Sequence, residues 1–265
     1  IKKNNINIKT LKEIYKELIY GKGYVILKDR ISLSIVNKAK KFLIKHNTNQ
    51  IRINSLDKRG KQSYVHNLFS KSLIFQKFIP KDKYLKVFRD ILGFNFKIGY
   101  YSANILFPGA RGQMYHLDYP YSTIKSKNSK LNNISFEKPI NLQSLVALSD
   151  FDEDAGPLSL VPYSQKLEVN PLDLSLKIYE NKKLITFKKN NKLNILKYEN
   201  LNLRKGSIVL FNGLAWHKAS DNFSRDKIRI SLLTQYLPEF VKPMHEIFSG
   251  KIKISRRLIS LITKN

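Results

Sequence analysis

Apolar residues first recur at helical spacing between Thr10 and Leu18, where Leu11, Ile14, Tyr15 and Leu18 share one face behind a threonine able to cap the first turn. Gly21 ends that run, and Gly23 to Lys28 then reads as a strand. Ser32 or Ser34 opens a second amphipathic helix that reaches about His46, and Asn47 to Gly60 is polar and loop-like. Ser63 to Ile79 is apolar enough to pack against the rest of the fold. Pro80 predicts a third helix over Lys81 to Leu92, because proline is tolerated in a first turn and Gly93 stops it.

The period then changes. Phe94 to Phe107 reads as a strand leading to a Pro108-Gly109 turn, and Asn141 to Ser149 and Leu158 to Val161 are apolar, β-rich runs around the acidic turn Asp150 to Asp154. Ile208 to Phe211 is an apolar strand that runs into a turn, Lys227 to Leu233 is strand-like, and Pro238 and Pro243 break the β pattern. Lys253 to Leu261 reads as a C-terminal helix. The polar stretch 122–139 predicts a lid or substrate loop, and Asn170 to Asn200, rich in Lys and Asn, reads as partly helical and then extended. Helices ahead of many short strands, without βαβ alternation, argue against a doubly wound sheet and for a mainly β protein with flanking helices. No repeat or linker interrupts residues 1–265. The expectation is one domain, with a helical part over about 1–92, a β core over about 94–238 and a helical tail over about 239–265.

Composition narrows the chemistry more than the fold. The chain has no cysteine, which excludes disulfides, zinc–thiolate sites and thiol nucleophiles. No apolar run is long enough to span a bilayer, so a soluble, cytoplasmic protein is the default expectation. A formal charge of +28 raises nucleic acid, an anionic membrane surface or an acidic substrate as partners. The lysines are scattered through every segment among dense Ile and Asn, which favours a solvated lysine-rich surface over a dedicated binding stripe.

The candidate chemistry begins at Gln113-Met114-Tyr115-His116-Leu117-Asp118. In a strand, positions i and i+2 face the same side, so His116 and Asp118 can close on one metal ion. Downstream, the strand from Ile208 delivers His217. Two histidines and one carboxylate with open positions form the facial triad of non-haem Fe(II) oxygenases. Arg229 and Ser231, again two apart in a strand, offer a fork suited to a carboxylate-bearing cosubstrate. The bland alternatives are a chance His-x-Asp pair, a packing role for Trp216, a surface or helix-end His46, a structural or rim His66, a His245 that serves local structure, and a solvated turn for Asp150 to Asp154. The order of the four parts is what sets the first reading above them.

These segments together resemble the phytanoyl-CoA dioxygenase family over most of the chain. Leu18 to Leu27 resembles its opening helix, glycine and strand, and Pro108-Gly109, Gln113 and His116-Leu117-Asp118 resemble its turn and metal motif. Ala147 to Pro162 resembles its central strands, and Gly206 to His217 with Asn222, Arg229 and Gln235-Tyr236 resembles its closing strands. The chain departs at Pro162-Tyr163-Ser164-Gln165, where the family has histidine in the last place, which puts the pocket mouth in question. The His217 to Arg229 spacing is one residue long, which leaves Arg225 as a rival anchor. The resemblance implies a double-stranded β-helix, or cupin-like jelly roll. It implies Fe(II) on His116, Asp118 and His217, with 2-oxoglutarate and O2 as cosubstrates. Arg229 and Ser231 would meet the distal carboxylate, with Gln113 and Asn104 as further polar partners. The expected reaction is hydroxylation, not chlorination, since Asp118 fills the place a halide would need. Its substrate would be a small metabolite or acyl conjugate carrying a negative group, with no specific nucleic acid. The competing readings are a non-catalytic or nucleic-acid-binding protein on the same barrel, and an oxygenase acting on nucleic acid.

Overall fold

Thr10 opens the first helix as its spacing predicts. Its hydroxyl accepts from the Glu13 amide at 3.2 Å while its own amide donates to the Glu13 carboxylate at 2.9 Å, so two orphan donors are satisfied reciprocally. The computed structural model describes residues 10–27, 30–47, 61–120, 139–167, 169–243, 254–259 and 261–262. Helix α1 (Leu11–Ile19) leads to β1 (Tyr24–Ile26), α2 (Leu33–Asn47), β2 (Gln62–His66) and α3 (Asp82–Leu92). Gly93 stops α3 with φ of 100° while its amide donates to the Arg89 carbonyl.

The chain continues through β3 (Lys97–Leu106), β4 (Leu142–Ala147), β5 (Leu158–Leu160), β6 (Lys177–Tyr179), β7 (Leu184–Lys189) and β8 (Lys192–Lys197). It ends with β9 (Glu199–Leu201), β10 (Ile208–Asn212), β11 (His217–Ala219), β12 (Arg229–Leu237) and a single helical turn, α4 (Arg256–Ile259). A six-stranded antiparallel sheet runs β1–β10–β4–β12–β3–β2, a second sheet runs β11–β5–β9, and a third runs β6–β7–β8. The architecture is a jelly roll.

Both faces of the large sheet are covered, and its strands therefore read as almost continuous apolar runs. Tyr101, Ala103, Ile105, Val146, Leu210, Ile230 and Leu232 pack on the outer side in one cluster with Leu18, Val36, Val87 and Phe88 of the helices. The alternate residues point inward, where Leu145, Val209 and Phe211 meet Leu158 and Leu160 of the second sheet. Complete burial of a Leu or Phe contributes about 1.5–3 kcal/mol each, so this two-sided core holds the cavity walls in place. Among the described residues no helix is long and apolar enough to cross a membrane.

Four expectations need correction. The metal segment is extended but is no regular strand: it makes one isolated bridge, His116 to His217, with single amide bonds at Gln113 and Asp118 on either side. Residues 170–200 hold short 3-10 turns and the β6–β7–β8 meander in place of a partly helical stretch. The C-terminal helix is confined to Arg256–Ile259. Residues 62–66 do not merely pack against the fold; they form its edge strand β2. The expected loop at 122–138 and His245 lie outside the described residues.

Candidate active site

Backbone pairing fixes the metal segment. Gln113 donates its amide to the Ala219 carbonyl at 2.8 Å, His116 and His217 exchange amide bonds at 3.1 and 3.2 Å, and the Asp118 amide reaches Gly213 at 3.1 Å. Alternation sends His116 and Asp118 into the cavity and buries Tyr115 and Leu117 on the opposite side with Trp216, Ile185 and Phe187. Asn141 completes the hold, donating to the carbonyls of Asp118 at 3.1 Å and Tyr119 at 2.8 Å. Its side chain fills the space that a Cβ at Gly213 would need, so this close approach requires glycine.

His217 arrives by a turn held at both ends. Asn212 caps it, its side-chain oxygen accepting the Leu214 amide at 2.9 Å and its Nδ2 donating to the Leu18 carbonyl at 3.1 Å. Trp216 is structural packing: it is fully buried, its amide donates to Ser164 Oγ at 2.7 Å and its indole N–H to the Val169 carbonyl at 2.9 Å.

The three side chains converge. His217 Nε2 lies 3.2 Å from Asp118 Oδ2, His116 Nε2 lies 3.9 Å from Asp118 Oδ1, and one ligand atom from each residue falls within 4.8 Å of the others. Each imidazole Nδ1 sits against a carbonyl, His116 on Met114 at 2.8 Å and His217 on Ala215 at 2.9 Å. A carbonyl only accepts, so both Nδ1 atoms carry hydrogen and both Nε2 atoms face the site as ligand atoms. Burial, with the charge of His217, holds the His116 imidazolium down to a pKa of about 4. Burial also penalises the Asp118 carboxylate, but His217 and His116 outweigh it and bring the group below the ordinary carboxylate range. His217 is pulled down by burial and raised further by its bond to Asp118, for a net upward shift. His116 is thus held neutral, while the upward shift of His217 and the downward shift of Asp118 favour a proton shared between those two. A divalent cation can replace that proton, and two imidazole nitrogens with one carboxylate suit non-haem Fe(II).

The same cavity, about 390 Å³ in volume, holds Arg229 on its wall. Arg229 is 2% exposed, stacks 4.3 Å over the Phe151 ring, and donates to Asn104 Oδ1 at 2.5 Å and Ser231 Oγ at 3.0 Å. Its Nε and the Asn104 Nδ2 have no partner, and among the described residues no carboxylate pairs with it. Burial lowers its pKa only to about 10, so it remains charged. An uncompensated buried cation costs several kcal/mol, and an incoming anion removes that cost. Gln113 also lines the cavity, its Oε1 accepting the Ala219 amide at 3.1 Å and its Nε2 reaching the Tyr64 hydroxyl at 3.3 Å.

The remaining candidates fall elsewhere. Arg225 is exposed in the turn before β12 and does not line the cavity. His46 stacks on Phe42 at 3.9 Å at the end of α2, and His66 is exposed at the cavity rim. Gln165, at the departure from the family pattern, lies away from the cavity and donates to the Gly21 carbonyl at 2.9 Å. The acidic turn is consumed by Lys227, Arg204 and Lys183. Among the described residues the sole cluster fit for a metal is His116, Asp118 and His217. Sequence reasoning missed Asn141 and Gln143, two polar residues at the start of an apolar run that gives no sign of which way they point.

Residues 20–231 match the sequence profile of the family described as phytanoyl-CoA dioxygenase (PhyH). No curated protein sequence matches the chain significantly. Among solved structures, HygX from Streptomyces hygroscopicus with nickel, 2-oxoglutarate and hygromycin B bound has a TM-score of 0.59 at 15% identity, covering 89% of this chain and 90% of its own. HygX with iron bound gives a TM-score of 0.57 at 15% identity, covering 90% of each chain. The non-haem alpha-ketoglutarate-dependent epimerase SnoN from nogalamycin biosynthesis gives 0.59 at 15% identity, covering 86% of this chain and 82% of its own. At these identities the likeness is one of fold.

Proposed function

The chain belongs to the phytanoyl-CoA dioxygenase family, and on that premise we propose that it is an Fe(II)- and 2-oxoglutarate-dependent dioxygenase that hydroxylates a small metabolite or acyl conjugate, releasing succinate and CO2. The observation that carries this reading is the pairing of a buried, anion-less Arg229 with the His116–Asp118–His217 cluster in one cavity. The bound 2-oxoglutarate and metals of HygX, a similar fold, support it.

In this reading His116 Nε2, His217 Nε2 and the Asp118 carboxylate hold Fe(II), and the carbonyls of Met114 and Ala215 fix the two rings through Nδ1. The iron, when bound, supplies O2 activation coupled to oxidative decarboxylation of 2-oxoglutarate. The other tasks belong to the chain. Arg229 and Ser231 bind the distal carboxylate, with Asn104 holding the guanidinium in plane. Leu145, Leu158, Phe211 and Leu233 line the same space and exclude water from it. Nε2 of His217 releases its proton to solvent before it can serve as a ligand. Surface lysines give nucleic acid only a salt-sensitive, non-specific contact.

The test is succinate release from purified protein supplied with Fe(II), O2 and 2-oxoglutarate, with product masses followed across a substrate panel. Succinate formation that needs all three, and a product one oxygen heavier, is expected. Succinate formation at equal rate in His116→Ala, Asp118→Ala or His217→Ala protein would remove the metal assignment. A product of unchanged mass with inverted stereochemistry would replace hydroxylation by epimerisation, as in the epimerase SnoN.

A further inference from the structure

The inner face of the large sheet is laid out in rows, because directly paired residues point the same way. One row reads Phe211–Gln143–Gln235–Tyr100 across β10, β4, β12 and β3. The next inward row holds Leu145 and Leu233, and beyond it Ser231 lies beside Asn104 and Tyr64, with Arg229 one row further. The cavity therefore has two polar ends with an apolar row between them. One end is cationic, and the other is made of amides and a phenol.

Gln143 stands at the second end. It is 4% exposed, lines the cavity, and has no hydrogen-bond partner among the described residues. Its carboxamide presents two donors and an acceptor to the cavity, where a ligand can meet them. Its neighbours are firmly placed: Phe211 packs edge-to-face with the His217 ring, centroids 4.9 Å apart, and Gln235 donates to the Tyr119 carbonyl at 2.8 Å, next to Asp118. The Gln143 carboxamide thus lies in the row that touches the metal cluster. Charge sets the class of ligand. Of the chain's 48 lysines and arginines, Arg229 alone is among the described residues that line the cavity, and the proposed function commits it to 2-oxoglutarate. Tyr100 is held neutral by burial.

We propose that Gln143 is the substrate-selecting residue, and that the part of the primary substrate entering the cavity is an uncharged hydroxyl- or amide-bearing group hydrogen-bonded to its carboxamide. A carboxylate or phosphate at this end would be desolvated with no counter-charge among the described residues that line the cavity. Any negative group on the substrate lies outside, among the surface lysines. This rests on the oxygenase reading, and it replaces net charge as the guide to specificity.

The experiment uses the Fe(II)-loaded protein and matched probe pairs that differ by one anionic group: glucose against glucose 6-phosphate, uridine against uridine monophosphate, and a doubly capped dipeptide amide against its free acid. Calorimetric binding of 2-oxoglutarate is measured first, and its absence defeats the oxygenase reading itself. Given that binding, stimulation of succinate release by an uncharged member over its anionic partner is expected. Gln143→Leu should then raise KM for that probe by about 10- to 100-fold with 2-oxoglutarate binding intact. Gln143→Glu, which keeps shape and one acceptor, should shift preference toward an amine-bearing analogue and carries the test should the leucine variant fold poorly. Preference for the anionic members, stimulation by no uncharged probe, or a Gln143→Glu protein with unchanged selectivity overturns the proposal.

Discussion

The acidic turn and the cavity both bring cationic side chains to oxygen atoms, with opposite economies. At the turn, Lys227 lies 3.0 Å from Asp154 and 3.2 Å from Asp152, and Lys183 lies 2.9 Å from Glu153, all of them solvated. In the cavity a single guanidinium is 2% exposed and bonded only to neutral oxygens. Water already satisfies the first group, so its many ion pairs stabilise little. Among the described residues no anion meets the second, whose Nε has no partner. In a chain of net charge +28, isolation of one charge points to function more sharply than density of many.

The largest effect expected is on the metal centre. Asp118→Ala or His217→Ala should weaken Fe(II) affinity by more than the ~10- to 100-fold seen when an outer partner of a metal ligand is lost, with turnover falling to background. Circular dichroism should show the fold retained. A variant that still consumes 2-oxoglutarate at the wild-type rate would separate the cluster from the chemistry.

Arg229 comes next and divides the comparison. Arg229→Met should cost about 2–5 kcal/mol of 2-oxoglutarate binding, read as the rise in its saturating concentration. The ligand-free protein should melt slightly higher, by on the order of 1 kcal/mol, because an unpaired buried cation has been removed. A lower melting point would mean that Asn104 and Ser231 compensate the charge without a ligand.

The pH dependence is smaller and has a fixed sign. His217 is raised by Asp118 and holds its proton above the ordinary histidine range, whereas His116 is neutral down to about 4. Metal binding should therefore release one proton, and affinity should rise with pH until His217 has titrated in the free protein. Below that point the His217–Asp118 pair competes with the metal. Flat affinity from mildly acidic to alkaline pH would contradict the ion pair.

At the small end, Lys227→Ala and Arg225→Ala should leave both melting temperature and 2-oxoglutarate saturation unchanged, although Lys227 makes the more numerous ion pairs. A clear loss in either would restore the surface charges to the argument.

Much of the site was legible because it follows the period of a strand. His-x-Asp and Arg-x-Ser each put two groups on one face, and the run from Ile208 announced His217. That Arg229 and not Arg225 lines the cavity needed the register of β12, where Arg229, Ser231, Leu233 and Gln235 face inward while Ile230 and Leu232 face the helices. Gln143 and Asn141 were hidden for a physical reason. β4 is buried on both faces, so polar and apolar positions do not alternate visibly along it. The helices were legible from caps and stops, at Thr10 and Gly93. The β6–β7–β8 meander was not, since its strands are short and interspersed with solvated Lys and Asn that mask the period.

The central claim is that Arg229 and the His116–Asp118–His217 centre hold opposite ends of one 2-oxoglutarate. It is tested most directly by anaerobic titration of 2-oxoglutarate into Fe(II)-loaded wild-type, Asp118→Ala and Arg229→Met protein, following the charge-transfer absorption that arises when the keto acid chelates the iron. The account predicts a saturable band in the wild type, no band in Asp118→Ala, and the same band at far higher ligand concentration in Arg229→Met. Saturation of Arg229→Met at the wild-type concentration, or binding of 2-oxoglutarate with no change in absorption, would contradict it.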